Sequence, residues 1–144
     1  MKEFISWNVV DECVLDIAEH LIRTEIKFDG VYGIPRGGAV LAVMLSHKLD
    51  IPFIMDVKEG PYHAVRDDYI IIDDIVDTGE TLKKYKEQPE CRNSYFVTIH
   101  EHAQSSVKPD YSVLYKEDKW IVYPWEITDS AEIQDYLTKG KVNE

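Results

Sequence analysis

One short stretch of the sequence combines carboxylates, hydroxyls and a glycine in an order that suits a sugar phosphate. Residues 69–72 (Tyr-Ile-Ile-Ile) are typical of a buried strand, and they lead directly into the adjacent carboxylates of Asp73 and Asp74. A third carboxylate, Asp77, precedes a Thr-Gly-Glu-Thr loop at 78–81 that opens a predicted helix. Paired carboxylates can accept hydrogen bonds from two vicinal ribose hydroxyls. The loop has three features that suit a phosphate: side-chain hydroxyls, a glycine that allows close approach of the backbone, and the unpaired N–H groups of a helix start.

The alternative interpretation of this stretch is an ordinary strand, turn and helix with an acidic turn. Such a turn has no need of two adjacent carboxylates at the carboxyl end of a strand, which is where open α/β sheets bind ligands. We therefore favour a binding site.

A second pattern, Pro35-Arg36-Gly37-Gly38, lies between a predicted strand and a predicted helix. Two glycines permit the backbone to approach an anion, the start of the helix faces it, and Arg36 adds positive charge. A Gly-Gly turn after a strand is more often only a turn. Its meaning here comes from its position one crossover before the acidic stretch.

A third pattern is the aromatic segment 120–126 (Trp-Ile-Val-Tyr-Pro-Trp-Glu), which we call the hood. An aromatic ring followed by extended backbone, as at Trp120, can stack on a base while main-chain groups read the edge of that base. For Trp125 we favour a place in the hydrophobic core.

The rest of the chain predicts the elements that must position these patterns. A first helix is expected to begin at Asn8 as N-cap, with apolar residues at helical spacing. Beyond it, strands and helices alternate as in βαβ units, which predicts a doubly wound α/β domain with a mainly parallel sheet flanked by helices. The predicted strands are 31–34, 51–57, 69–73, 95–100, 111–115 and 119–123, and the further helices are 39–49, 78–87 and 131–139.

Length and charge narrow the class of protein. At 144 residues we expect one domain, 1–144, and the net charge of −11 argues against nucleic acid as a partner. No apolar run approaches the ~20 residues of a membrane span. A charged segment follows the initial Met1, so we expect a cytoplasmic protein rather than an exported one. Cys13 and Cys91 form no paired motif and are expected to be reduced thiols.

Together these patterns resemble the type I phosphoribosyltransferases, most closely the bacterial xanthine-guanine branch. The acidic stretch is similar to that family's phosphoribosyl pyrophosphate (PRPP) motif. The Arg-Gly-Gly turn and the Trp-Ile-x-x-Pro-Trp-acid string stand in matching order between about Trp7 and Glu126. The resemblance implies that fold, with a small C-terminal hood. It also implies Mg²⁺-dependent transfer of 5-phosphoribosyl from PRPP to guanine, xanthine or hypoxanthine in purine salvage, with release of pyrophosphate.

The resemblance also implies a role for each matching residue. The ribose hydroxyls, and Mg²⁺ as the counter-charge to an anionic substrate, would be held by Asp73 and Asp74. Asp77 would act as general acid/base near the purine N7. The 5′-phosphate loop would be Asp77, Thr78, Gly79, Glu80 and Thr81, and the pyrophosphate loop Pro35, Arg36, Gly37 and Gly38. Trp120 would stack on the base, and the backbone of Ile121 would read its edge.

Two positions depart from the family pattern. His102 stands where the family carries a lysine that donates to the 6-oxo group, and we expect either a base contact or a solvated loop histidine there. The loop 58–68 is shorter than the family's usual lid over PRPP. By the same resemblance, the Pro35–Arg36 bond is the candidate for a non-proline cis peptide.

Two other readings of the function stay open. One is a regulatory protein of the same fold that binds PRPP or a nucleotide, such as a nucleoside monophosphate, with little catalysis. The other is a transferase for a different base. The resemblance further implies a homo-oligomer, either a dimer or a tetramer.

Overall fold

A five-stranded parallel sheet forms the centre of the protein, whose computed structural model describes residues 1–57 and 68–126. The strands are β1 (Lys2–Phe4), β2 (Gly30–Gly33), β3 (Phe53–Ile54), β4 (Tyr69–Val76), β5 (Tyr95–His102), β6 (Tyr111–Lys116) and β7 (Trp120–Val122), and the helices are α1 (Trp7–Arg23), α2 (Gly37–Leu49) and α3 (Glu80–Lys86). The central sheet has the order β3-β2-β4-β5-β6, and β1 pairs with β7 in a separate two-stranded parallel sheet. The predicted mainly parallel α/β fold is confirmed.

Both faces of the sheet are covered by apolar clusters. Ile70 and Ile72 of β4 belong to a cluster with residues of α1 and α2, whereas Ile71 packs with Phe96 of β5 and Leu82 of α3. Successive strand residues point to opposite faces, so a strand buried on both sides must be apolar at every position. This requirement explains the unbroken apolar run that precedes the carboxylates.

Several element boundaries differ from the predicted ones. Helix α1 begins at Trp7 rather than after Asn8, because the Ser6 hydroxyl caps it by accepting the Val9 N–H at 3.2 Å. The predicted strand 51–57 shortens to β3. The strand begins after Pro52, which has no N–H to donate to a sheet and whose carbonyl accepts from Val31 at 2.9 Å.

Strands β4 and β5 run past their predicted ends, because their pairing continues to Val76 and Glu101. The predicted helix 131–139 and all but the last residue of the loop 58–68 lie outside the described residues. No helix in the described ranges is long and apolar enough to cross a membrane.

Candidate active site

An open cleft lies at the carboxyl ends of the central strands, and its volume is about 670 Å³ when the solvent at its mouth is included. The acidic stretch lines one side with residues 73–79, Thr81 and Leu82. The other side is lined by Lys116, Trp120, Ile121, Tyr123 and Glu126. The fold thus brings the first and third sequence patterns together across one space.

The adjacent carboxylates lie within the last half of β4 and are nearly enclosed. Asp73 is 5% exposed and Asp74 is 4% exposed. The Asp74 N–H donates to Asp73 Oδ1 at 2.9 Å, and the Tyr123 hydroxyl donates to the Asp74 carbonyl at 3.0 Å. Backbone and hood contacts therefore hold this pair in place from two sides.

The loop after β4 is held by the segment that follows β5. The N–H and the hydroxyl of Ser106 both donate to the Thr78 carbonyl at 3.0 Å. Gly79 has a φ of 94°, and a Cβ at this position would lie 2.8 Å from the Val107 nitrogen. Only glycine fits such a position without strain. Thr78 and Glu80 are exposed, and Gly79 is buried beneath them.

The turn at 35–38 packs against β4 beside the carboxylates. The Pro35–Arg36 peptide is cis, as the resemblance implied. A Cβ on Gly37 would lie 1.9 Å from Asp74 Oδ2, and a Cβ on Gly38 would lie 2.4 Å from the Ile72 carbonyl oxygen. Both glycines are therefore needed for close approach, and the turn adjoins the cleft through Asp74, with Pro35 and Arg36 exposed.

Lys116 is a cleft residue that the sequence patterns missed. Its side chain is 6% exposed, and its Nζ lies 3.5 Å from Asp77 Oδ1 and 5.3 Å from the centre of the Trp120 ring. It ends β6 as the register partner of His102, which ends β5. The signal that could have found it is its place just past the predicted strand 111–115, at the same sheet edge as the acidic stretch.

His102 itself is half-buried, and it is absent from the described residues that line the cleft. Its Nδ1 accepts the Gln104 N–H at 3.0 Å, within its own turn. A base contact by His102 stays a prediction. In the described ranges no cluster of three or more His, Cys, Asp or Glu side chains forms a metal site.

Comparison with known proteins supplies the relatives of this chain. No family model matches the sequence. Curated xanthine-guanine phosphoribosyltransferases are similar to it: that of Idiomarina loihiensis is 27% identical, with 86% of each chain covered, and that of Vibrio parahaemolyticus is 24% identical, with 88% of this chain and 90% of the relative covered. The solved structure of a purine phosphoribosyltransferase from Pyrococcus horikoshii is 31% identical, with a TM-score of 0.75 over 92% of this chain and 99% of that chain. The chain belongs to the purine phosphoribosyltransferases.

The xanthine-guanine-hypoxanthine phosphoribosyltransferase of Helicobacter pylori, at 18% identity and a TM-score of 0.71, shares the fold.

In the chain itself, hydrogen bonds between uncharged groups connect the hood to β4. The Tyr123 hydroxyl has one proton and donates it to Asp74, so His100 Nδ1, 2.7 Å away, must be the donor to Tyr123. Burial lowers the pKa of His100 to about 4, with a further lowering from the Lys116 charge against an opposing effect of Glu3. His100 is therefore neutral near pH 7.

The expectation that Trp125 belongs to the core is also confirmed. Its ring stacks on Tyr123 with centroids 4.9 Å apart and packs against the main apolar cluster. Trp120, by contrast, lines the cleft.

Proposed function

We propose that the protein is a salvage enzyme that transfers the 5-phosphoribosyl group from PRPP to a purine base and releases pyrophosphate. The observation that carries this proposal is the cleft itself, in which buried carboxylates on β4 face an aromatic hood. Carboxylates suit ribose hydroxyls, and an aromatic ring suits a base. A ligand that contains both groups would span the cleft.

The sugar phosphate is assigned to the acidic side. The ribose hydroxyls would donate to Asp73 and Asp74, and the 5′-phosphate would lie on the loop from Asp77 to Thr81. In that loop the exposed Thr78 hydroxyl and the close backbone approach at Gly79 suit an anion. The pyrophosphate would lie on the turn 35–38, which adjoins Asp74 through Gly37 and carries the exposed Arg36.

The base is assigned to the hood side, where it would stack on Trp120 with the Ile121 backbone at its edge. In the reaction the N9 lone pair of the base forms a bond to C1′ of the ribose. The bond from C1′ to the pyrophosphate oxygen breaks, and its electron pair leaves with pyrophosphate. The proton that the base carries on N7 would pass to the carboxylate of Asp77, which lines the cleft.

The donor set also fits a magnesium ion that enters with the substrate. Asp73 and Asp74 supply hard carboxylate oxygens at the edge where the pyrophosphate would lie, and Mg²⁺ is commonly held by one or two carboxylates plus substrate phosphates. When bound, the ion would neutralise charge on the pyrophosphate. Asp73 and Asp74 would orient the ribose beside it.

The test is pyrophosphate release from PRPP and Mg²⁺ with guanine, hypoxanthine, xanthine, adenine or uracil supplied singly. Release that depends on a 6-oxopurine is the expected result. Release only with adenine or uracil would move the acceptor to another base. PRPP binding by calorimetry without release would favour a regulatory protein.

A variant separates chemistry from binding in the same assay. Asp77→Asn cannot take up the proton, so we expect kcat to fall by about 10²- to 10⁴-fold with the dissociation constant for PRPP little changed. Asp118→Asn, at an exposed position outside the cleft lining, is the matched control and should behave as the wild type. An equal loss of turnover and PRPP affinity in Asp77→Asn would assign Asp77 to binding alone.

We also expect a cytoplasmic dimer or tetramer, because relatives of this kind commonly assemble. Light scattering coupled to size exclusion measures the assembly state directly. A monomeric mass at working concentration would contradict this expectation.

A further inference from the structure

A short segment after β5, residues 103–108, lies against the connection between β4 and α3, and we call it the clasp. Ser106 of the clasp donates to the Thr78 carbonyl twice, through its N–H and through its hydroxyl, each at 3.0 Å. At the far end of α3, the Lys86 ammonium donates to the Lys108 carbonyl at 2.8 Å. The clasp therefore contacts both the loop before α3 and the last turn of that helix.

A nearly buried carboxylate anchors the clasp to the end of β5. Glu101 is 8% exposed, its Oε2 lies 3.4 Å from the Lys108 ammonium, and its Oε1 accepts from the Ser112 hydroxyl at 2.7 Å. The same ammonium donates to the Ala103 carbonyl at 2.8 Å and to the Ser105 hydroxyl at 3.3 Å. Because a buried charge is stable only when it is paired, these contacts fix the clasp relative to the sheet.

The two bonds from Ser106 fix the direction of one peptide group in the loop. The carbonyl and the N–H of a trans peptide point in opposite directions, so a Thr78 carbonyl held by the clasp turns the Gly79 N–H away from the clasp. Gly79 has a φ of 94° and a ψ of −2°, the conformation of the third residue of a type II turn. Reversal of the same peptide would give a type I turn, with a φ of about −90° at this residue. Glycine adopts both conformations readily, so the bonds from Ser106 select between them.

We propose that Ser106 is a positioning residue that holds the Gly79 N–H in the direction a 5′-phosphate requires. This inference rests on the proposed function, which assigns that phosphate to the loop from Asp77 to Thr81. Among the described residues Gly79 lines the cleft and Ser106 does not, so an N–H turned away from the clasp is turned toward the cleft. The reversed peptide would present a carbonyl oxygen there, which repels an anion. Ser106 thus acts on the phosphate through the backbone of the loop.

Calorimetry with two anions tests the proposal, because the proposed site holds them in different places. Inosine monophosphate would use the phosphate loop, and pyrophosphate with Mg²⁺ would use the turn 35–38. Ser106→Ala removes the hydroxyl bond and keeps the N–H bond, so we expect it to bind the nucleotide about 3- to 10-fold more weakly. Its affinity for pyrophosphate should not change, which also shows that the variant is folded. Ser106→Thr keeps the hydroxyl and should restore nucleotide affinity.

Gln104→Ala is the matched control within the clasp. Gln104 is exposed, and its bond to His102 uses the backbone N–H, which alanine keeps, so the variant should match the wild type.

Glu101→Gln separates positioning from electrostatic attraction. It removes a negative charge, so a general electrostatic effect would strengthen nucleotide binding, whereas a loosened clasp weakens it. We expect binding of inosine monophosphate to weaken by about 3- to 10-fold, with pyrophosphate binding not weakened. Asp118→Asn makes the same change of charge at an exposed position and should match the wild type.

Nuclear magnetic resonance observes the positioned group directly. The amide proton of Gly79 should shift downfield when inosine monophosphate binds to the wild type, because the N–H then donates to the phosphate. The shift should be smaller in Ser106→Ala at saturating nucleotide.

Several results would overturn the inference. They are equal weakening of both anions in Ser106→Ala, no change in either, tighter nucleotide binding by Glu101→Gln, and a Gly79 amide proton that does not respond to the nucleotide. Nucleotide binding needs no turnover. A wild type that binds the nucleotide but transfers phosphoribosyl to no base would therefore defeat the proposed function alone, and the ratio of the two affinities would still decide the role of Ser106. A wild type that binds no nucleotide would defeat both.

Discussion

Replacing Gly37 with alanine should damage substrate binding far more than stability. The added Cβ would lie 1.9 Å from Asp74 Oδ2, and ordinary contact begins near 3.4 Å, so the carboxylate must retreat by about 1.5 Å. The Trp125 indole nitrogen, 3.2 Å from the same Cβ, limits the alternative of moving the turn. The atom that yields belongs to a side chain rather than to the backbone, so its displacement costs folding less than a clash with backbone would.

The expected loss follows from that displacement. A misplacement of about 1 Å at a binding group can cost roughly 100-fold, so we expect kcat/KM for PRPP in Gly37→Ala to fall by about that factor. The φ of Gly37 is not in the left-handed region, and alanine is favoured over glycine in a helix by up to about 1 kcal/mol. The free energy of unfolding should therefore fall by less in this variant than in one whose added Cβ meets backbone.

The adjacent glycine provides the matched control. A Cβ on Gly38 would lie 2.4 Å from the Ile72 carbonyl oxygen, which is backbone of β4 and cannot rotate away. Gly38→Ala should therefore lower the free energy of unfolding by about 1–3 kcal/mol. The assays are steady-state kinetics with PRPP varied and urea unfolding. Wild-type kcat/KM for PRPP in Gly37→Ala would refute the reasoning, because it would mean that Asp74 can move without consequence.

Two further predictions concern the hood and its buried histidine. In Trp120→Ala the KM for the base should rise by about 5- to 150-fold, because stacking contributes about 1–3 kcal/mol per base. The affinity for PRPP should stay the same. An unchanged KM would mean that Trp120 only packs in the core. The pKa of His100 is about 4 in the folded chain and 6.5 in the unfolded chain. Below pH 6.5 the unfolded chain therefore binds a proton at His100 that the folded chain does not bind. Its contribution to stability is complete above pH 6.5 and is lost as the pH falls to about 4, by up to roughly 3 kcal/mol at about 1.4 kcal/mol per pH unit. His100→Gln should lose less stability than the wild type between pH 7 and 4.5, as measured by urea unfolding, and parallel curves would contradict the assignment.

The fold and the acidic side of the cleft were predictable because their signals are contiguous in sequence. The apolar run at 69–72 predicts a strand buried on both faces, and the carboxylates that follow must then lie at the carboxyl end of that strand. Boundaries were less predictable, because partners set them. Strand β4 extends to Val76 since β5 pairs with it that far, and Ser6 rather than Asn8 caps α1 although both residue types cap well.

Lys116 was not predictable from a motif, because its meaning comes from register. Within the run 111–116 it is one more polar residue at a strand end, and only the pairing of β5 with β6 places it beside His102. Parallel strands bring their carboxyl ends to one edge of the sheet, so residues that are distant in sequence meet there. A pattern search that compared strand ends across the predicted sheet, rather than along the chain, would have found it.

The hood and the acidic strand act as one unit, and the nature of their link explains why. The Tyr123 hydroxyl donates to the Asp74 carbonyl and accepts a hydrogen bond from His100, so the connection consists of neutral hydrogen bonds between buried groups. Such bonds have precise geometry and, unlike ion pairs, do not compete with the charges of an anionic substrate. The ring of Trp120 and the carboxylate of Asp74 are thereby held on one frame. In the proposed complex, a base stacked on the hood would be positioned relative to the ribose by this frame, which is the alignment that bond formation between N9 and C1′ requires.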